Sequence, residues 1–262
     1  MMALRPGLFR AVARLYPSLI PSPSVPALLP GTRRLAGKTA LVTGSSRGVG
    51  QLVAVALARE GARVLLHGRS ESSCAATLAQ VRAAGSDGAI LAAELADSAA
   101  VETLADRALS LGGVDILYNN AAVMHPWRDR TELMTPHDWA WSFQVNVFAL
   151  ARLCARLAPP MRTRRWGRIV NVTSGIDKTP QLAGYGSSKW AVDKFTDDLA
   201  AELKDTGVLV SRLDPGWLQT DLGGPHAPNA PETVLPGALI PVLLADGSPS
   251  GQFFRAQDYR AA

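Results

Sequence analysis

From Lys38 to Gly216, short apolar runs alternate with segments of helical period, and this alternation constrains the fold more than any other feature of the chain. "KTALVTG", "ARVLLHG", "DGAILAAEL" and "VDILYNNAA" read as strands, and "GVGQLVAVALAREG", "SESSCAATLAQVRAAG" and "SAAVETLADRALSLG" between them carry apolar residues at helical spacing. The second half repeats the theme. "DWAWSFQVNVFALARLCARLAPPM" reads as one long helix, "GRIVNVTS" as a strand, "GYGSSKWAVDKFTDDLAAELKDTG" as a helix and "VLVSRLDPG" as a strand, with "PSGQFF" as a last strand. Units of this length require right-handed crossovers and a parallel sheet covered on both faces. The expectation is a doubly wound α/β parallel sheet in a single domain, with its chemistry beyond the carboxyl ends of the strands.

With 47% apolar residues in 262, the chain can bury one domain of ordinary to large size and requires no second. No apolar run approaches the roughly 20 residues that span a bilayer, so no membrane association is expected. The formal charge of +5 is concentrated at the start. Arg5, Arg10, Arg14, Arg33 and Arg34 lie in an acid-free leading stretch, and without those five the 22 remaining basic residues match 22 acidic ones. A balanced body with no basic stripe argues against nucleic acid as a partner. Residues 1–36 read as an N-terminal extension, flexible or a targeting segment, that stays out of the core, and residues 37–262 as the folded domain. Mitochondrial presequences are also Arg-rich and acid-poor. A cytoplasmic location is therefore expected, with the mitochondrial matrix as the alternative. Cys74 and Cys154 lie in no CxxC or Cys/His cluster, and His67, His125, His137 and His226 have no zinc-ligand spacing. Two idle thiols and no metal are expected.

Three stretches carry chemistry. In "TGSSRGVG", Thr43 to Gly50, a strand turns into a helix through glycines that let backbone N–H groups approach a pyrophosphate at the helix's positive end. In "YGSSK", Tyr185 and Lys189 share a helix face. A phenol of pKa near 10 is a poor proton shuttle at neutral pH, and a nearby ammonium lowers that pKa. In "VLLHGRS" the second strand ends without the carboxylate that would accept from a ribose 2′-hydroxyl and repel a 2′-phosphate. Gly68 stands there, followed by Arg69, and Arg47 lies in the glycine-rich turn. Guanidinium groups favour phosphate through paired, charge-assisted hydrogen bonds, which points to NADP(H) as cofactor.

Taken in order, TGxxxGxG, "NNAA" at 119 to 122, Asn146 in "FQVNVFAL", Ser174 in "NVTSG", YxxxK and "DPGWLQTD" as PGxxxT resemble the short-chain dehydrogenase/reductase family from about Lys38 to Phe254. Toward its end the chain is similar to the carbonyl-reductase-like members. The resemblance implies a Rossmann fold and NADP(H)-dependent hydride transfer between a carbonyl and a secondary alcohol. It implies that Tyr185 is the general acid in reduction and the base in oxidation, that Lys189 tunes it and holds the nicotinamide ribose, and that Ser174 hydrogen-bonds the substrate oxygen. Asn146 would hold a water linking Lys189 to solvent. Cofactor contacts are implied for Gly44, Ser46, Arg47, Gly48, Val49, Gly50, Arg69, Asn120, Pro215, Gly216 and Thr220, beside Tyr185 and Lys189. Two further readings stay open: a 3-oxoacyl-carrier-protein reductase or hydroxysteroid-type dehydrogenase, and a non-catalytic dinucleotide sensor. The substrate is expected to be a small carbonyl or alcohol of apolar character, in a pocket walled by Met124, His125, Trp127, Ile176, Leu182 and Trp217. A homodimer or homotetramer through the helices carrying Asn146 and Tyr185 is also implied.

The chain departs from the family's pattern in places. Ala122 replaces a glycine, at a cost of about 1 kcal/mol if the backbone there has positive φ. Glu94 stands where an aspartate near the adenine is common. Ser174 and Tyr185 are slightly closer in sequence than usual, which leaves Thr173 as a fallback hydroxyl.

Overall fold

The computed structural model of the protein describes residues 33–259. Seven strands, β1 (Thr39–Val42), β2 (Arg63–Gly68), β3 (Gly88–Ala92), β4 (Ile116–Asn119), β5 (Gly167–Val172), β6 (Val208–Asp214) and β7 (Gln252–Arg255), form one parallel sheet in the order β3-β2-β1-β4-β5-β6-β7. The intervening helices are α1 (Gly48–Arg59), α2 (Glu71–Ala83), α3 (Ser98–Ser110), α4 (Pro136–Phe143), α5 (Ala149–Thr163) and α6 (Ala183–Glu202). This is the single doubly wound α/β domain expected from the alternation.

Strand residues alternate between two cores, because successive side chains leave a strand on opposite faces. Val42, Leu66, Tyr118 and Val170 pack with α1, α2 and the 234–256 segment, while Leu41, Leu65, Leu117 and Ile169 pack with α3, α5 and α6. Both faces are thus closed, and each fully buried Leu or Val contributes roughly 1.5–3 kcal/mol. Helix starts are set locally. The Ser70 hydroxyl accepts from the Ser73 amide at α2, Asp97 accepts from Ala99 and Ala100 at α3, and Thr135 and Asp138 form a capping box ahead of α4.

Strand order reverses between β1 and β4, so the glycine-rich turn after β1 and the loop after β4 open on one crevice. The long helix expected over 138–161 is instead α4 and α5 joined by a π turn, Gln144–Phe148.

The expected domain boundary falls too late. Leu35 is only 3% exposed and belongs to the α1 core; its amide donates to the Glu60 carbonyl at 2.8 Å. The Arg34 guanidinium meets both Glu60 carboxylate oxygens, at 3.1 and 2.9 Å, and holds that carboxyl below its ordinary range. Apolar burial and a paired charge bring the last residues of the expected extension into the fold. The reading of residues 1–32 as flexible or targeting lies outside the described residues. Among the described residues no helix is long and apolar enough to cross a membrane.

Candidate active site

The turn from β1 to α1 is shaped around close backbone approach. Gly44 has φ +64°, and a Cβ there would lie 2.9 Å from the Ala121 Cα; a Cβ on Gly50 would lie 2.2 Å from the Gly44 carbonyl oxygen. Neither position tolerates a side chain. The Asn120 amide group donates to the Thr43 and Gly44 carbonyls at 2.9 and 3.2 Å, tying the β4 loop to the turn. Ser46, Gly48 and Val49 line the same turn at intermediate exposure. Thr220, from the segment after β6, comes down on it: its methyl would stand 3.4 Å from a Cβ on Gly48. A cradle of this kind at a helix N-terminus fits a dinucleotide pyrophosphate.

The end of β2 contains a residue that sequence reasoning passed over. His67 is 3% exposed; its Nδ1 accepts from the Gly44 amide at 3.1 Å, which leaves Nε2 to donate to the Ala93 carbonyl at 3.1 Å. Burial pushes its pKa down to about 4, against the Ala93 hydrogen bond and the Glu94 charge. A neutral imidazole therefore fixes the first glycine of the turn. Position 68, without a carboxylate, is closely packed: a Cβ there would meet Ser73 Oγ at 2.6 Å and Cys74 Sγ at 2.7 Å and would have to displace them. Arg69 follows, exposed. Arg47 is also exposed and pairs with Asp221 at 2.8 Å. Glu94 turns back on its own loop, accepting from the Ala96 amide at 3.0 Å.

Ser174 follows β5, and Tyr185 and Lys189 lie one turn apart near the start of α6. Ser174 lies beside the Tyr185 phenol and acts to lower its pKa. Tyr185 is 7% exposed and Lys189 2%; Lys189 Nζ lies 5.8 Å from the centre of the Tyr185 ring and donates to the Val172 carbonyl at 2.9 Å. The expected lowering of the phenol pKa by Lys189 is not what the arrangement produces. Burial pushes Tyr185 up to about 12, Ser174 opposes this, and the Asp214 carboxylate adds to it. Burial also pushes Lys189 down to about 8, with Asp193 opposing. The ammonium is turned to a carbonyl on β5 rather than to the phenol oxygen.

Asn146 sits in the π turn, 1% exposed. Its side chain accepts from the Val123 amide at 2.8 Å and donates to the Val123 carbonyl and the Ser188 hydroxyl, both at 2.9 Å. Both of its N–H groups are taken, and the side chain braces the β4 loop against α6. Thr173 is 2% exposed and its hydroxyl donates to the Lys189 carbonyl at 3.5 Å. Ser174, less buried, is the hydroxyl available to a substrate. Ala122 is not among the residues of positive φ, so alanine costs nothing there.

Of the expected pocket walls, His125 and Leu182 are buried, Met124, Ile176 and Trp217 half-buried, and Trp127 is 49% exposed. Pro215 accepts from the Gln257 amide group at 2.9 Å, and a Cβ on Gly216 would meet Gln257 Cγ at 2.7 Å. Ser188, His67, Asp214 and Asp221 were not singled out from the sequence, although Asp214 and Asp221 stand at the two ends of "DPGWLQTD". Among the described residues no group of three His, Cys, Asp or Glu side chains is placed to hold a metal.

Comparison with known proteins agrees with this geometry. The family model described as short chain dehydrogenase matches residues 38–230. A short chain dehydrogenase of Pseudocercospora fijiensis is 36% identical over 77% of this chain and 67% of its own length. A D-beta-hydroxybutyrate dehydrogenase of Cupriavidus necator is 32% identical over 84% and 86%. The crystal structure of a 3-oxoacyl (acyl-carrier-protein) reductase from Agrobacterium tumefaciens with NADP bound superposes with a TM-score of 0.75 at 28% identity, covering 87% of this chain and 95% of that one.

Proposed function

The chain belongs to the short-chain dehydrogenase family, and from that premise we propose that it is an NADP(H)-dependent oxidoreductase interconverting a carbonyl and a secondary alcohol. The observation that carries this reading is the buried Tyr185 near the start of α6 beside Ser174 at the end of β5, with Lys189 one helical turn further along α6. When bound, the nicotinamide supplies or accepts the hydride. Ser174 donates to the substrate oxygen where negative charge develops, and Tyr185 delivers the proton to that oxygen in reduction or removes it in oxidation. Lys189, held against Val172, lies beside Tyr185 to meet the ribose. Gly44, Gly48 and Gly50 would receive the pyrophosphate, and Arg69, with Arg47 on release from Asp221, would hold the 2′-phosphate, where position 68 offers no carboxylate. The NADP bound to the similar reductase supports that choice.

Mostly apolar walls from Met124, Ile176, Leu182 and Trp217 favour aryl or alkyl carbonyls. The likeness to a 3-oxoacyl reductase and a hydroxybutyrate dehydrogenase supports 3-oxoacyl substrates as the second reading. Phe148 at 55% and Trp190 at 53% exposure lie on the segments that carry Asn146 and Tyr185, and support a homodimer or homotetramer through these helices. The test follows cofactor absorbance over a panel of aryl and alkyl ketones, a 3-oxoacyl thioester and polyols, with NADPH and NADH. NADPH and an apolar ketone are expected to be preferred, and Arg69→Asp to shift the ratio of kcat/KM values toward NADH at least about tenfold. A wild type that prefers NADH, or a ratio untouched by the Arg69 change, contradicts the cofactor assignment; preference for polyols contradicts the pocket.

A further inference from the structure

Asp214 is the last residue of β6, half-buried, and the mechanism above gives it no part. Its Oδ1 accepts from the Gly216 amide at 2.9 Å, on the turn that carries the expected cofactor contacts Pro215 and Gly216. Its Oδ2 packs against Gly175, one residue beyond Ser174. The fit is tight on that side, because a Cβ on Gly175 would lie 2.7 Å from Asp214 Oδ2. A carboxylate has two acceptor oxygens and no donor, so it can hold the Gly216 amide with one oxygen and lie against the Gly175 backbone with the other. An asparagine would turn an NH2 group toward one of them.

We propose that Asp214 is a positioning residue of the catalytic site: its carboxylate joins the Ser174 loop to the Pro215–Gly216 turn and faces the Tyr185 phenol with a negative charge. The inference rests on the reading of Tyr185 as the acid and base. Charge at this place has a direction. Of the titratable groups around the phenol, Lys189 comes from α6 itself with Asp193 a turn beyond, Asp214 from β6, and His125 from the β4 loop beside Gly184. Asp214 in turn is faced by Arg255, its register partner on β7, and by Asp258. Burial pushes the Asp214 carboxyl above its ordinary range, with the Gly216 amide and Arg255 opposing. While it is ionised it disfavours the phenolate, and Tyr185 stays a proton donor. The same carboxylate sets how far Ser174 stands from the cofactor turn, so geometry and charge are controlled by one side chain.

The test compares wild type, Asp214→Asn and Gly175→Ala, with Tyr185→Phe identifying the Tyr185 signal. Tyrosine labelled with 13C at Cζ reports ionisation directly, and fluorescence titration with NADPH reports cofactor binding. Asp214→Asn should move the onset of Tyr185 ionisation down by about one pH unit and lower kcat at least about tenfold, with NADPH dissociation changed less than about threefold. Gly175→Ala keeps the charge and displaces the loop, so kcat should fall while the Tyr185 titration stays in place. An Asp214→Asn protein whose Tyr185 titrates as in wild type overturns the charge role, and a Gly175→Ala protein of normal kcat overturns the brace. If Asp214→Asn does not fold, the Gly175→Ala result alone decides the brace, and Asp214→Glu, which keeps the charge one methylene further out, decides the charge role: the Tyr185 titration must move less than in a variant losing the carboxylate, Asp214→Ser. Full turnover in Tyr185→Phe would instead remove the reading on which the proposal rests.

Discussion

Tyr185 and His67 are both buried titratable groups, and burial favours the neutral form of each. For Tyr185 this means a phenol that keeps its proton throughout the neutral range, suited to donating it to a developing alkoxide. For His67 it makes stability depend on pH. The unfolded imidazole binds a proton near pH 6.5 and the folded one only near pH 4, so between these values the unfolded state holds more protons. Stability is therefore expected to fall as pH drops from 6.5 toward 4, by about 3 kcal/mol in all. Urea unfolding across that range should reveal the slope in wild type and a smaller one in His67→Gln, which keeps a donor and an acceptor without titrating. Equal slopes would mean that His67 is not the group responsible. No local pattern warns of this: a lone histidine at a strand end looks like any core residue, and only the fold brings Gly44 and Ala93 to its two nitrogens.

Elements were legible in proportion to how local their causes are. The reading of β2 as 62–68 and the observed Arg63–Gly68 differ by one residue, because an apolar run closed by glycine marks its own ends. The helix read over 138–161 was right in extent and wrong in its middle. A π turn leaves no trace in a 3.6-residue period, and it is set by the need to bring Asn146 against Val123 and Ser188. The residue was readable as a motif position, but its partners were not. Its side chain also forms a brace between two loops of the site. Asn146→Ala leaves the Val123 N–H and C=O without their partner, at a cost of about 1–3 kcal/mol for such groups. Turnover should fall at least about tenfold with NADPH binding largely kept. Unchanged melting temperature and turnover would show that the brace is dispensable.

For the whole molecule, the alternation of strands and helices fixed the sheet and the place of the crevice, while the domain edge depended on contacts far apart in sequence. Leu35 finds its core and Arg34 its carboxylate on Glu60, more than twenty residues on. A chain beginning at residue 37 should therefore be less stable than one beginning at residue 33, by the roughly 1.5–3 kcal/mol of a buried leucine, and melt lower. Equal melting temperatures would place the boundary after Ala36. The catalytic assignment draws on every scale at once, since β5, α6 and the crevice must meet for Ser174, Tyr185 and Lys189 to share one site. The most direct test is turnover of a ketone with NADPH by wild type and Tyr185→Phe, with NADPH binding measured in parallel. Removing the phenolic hydroxyl should lower kcat at least about 10²-fold, the usual share of general acid–base catalysis, while the cofactor still binds; near-normal turnover in Tyr185→Phe would contradict the account.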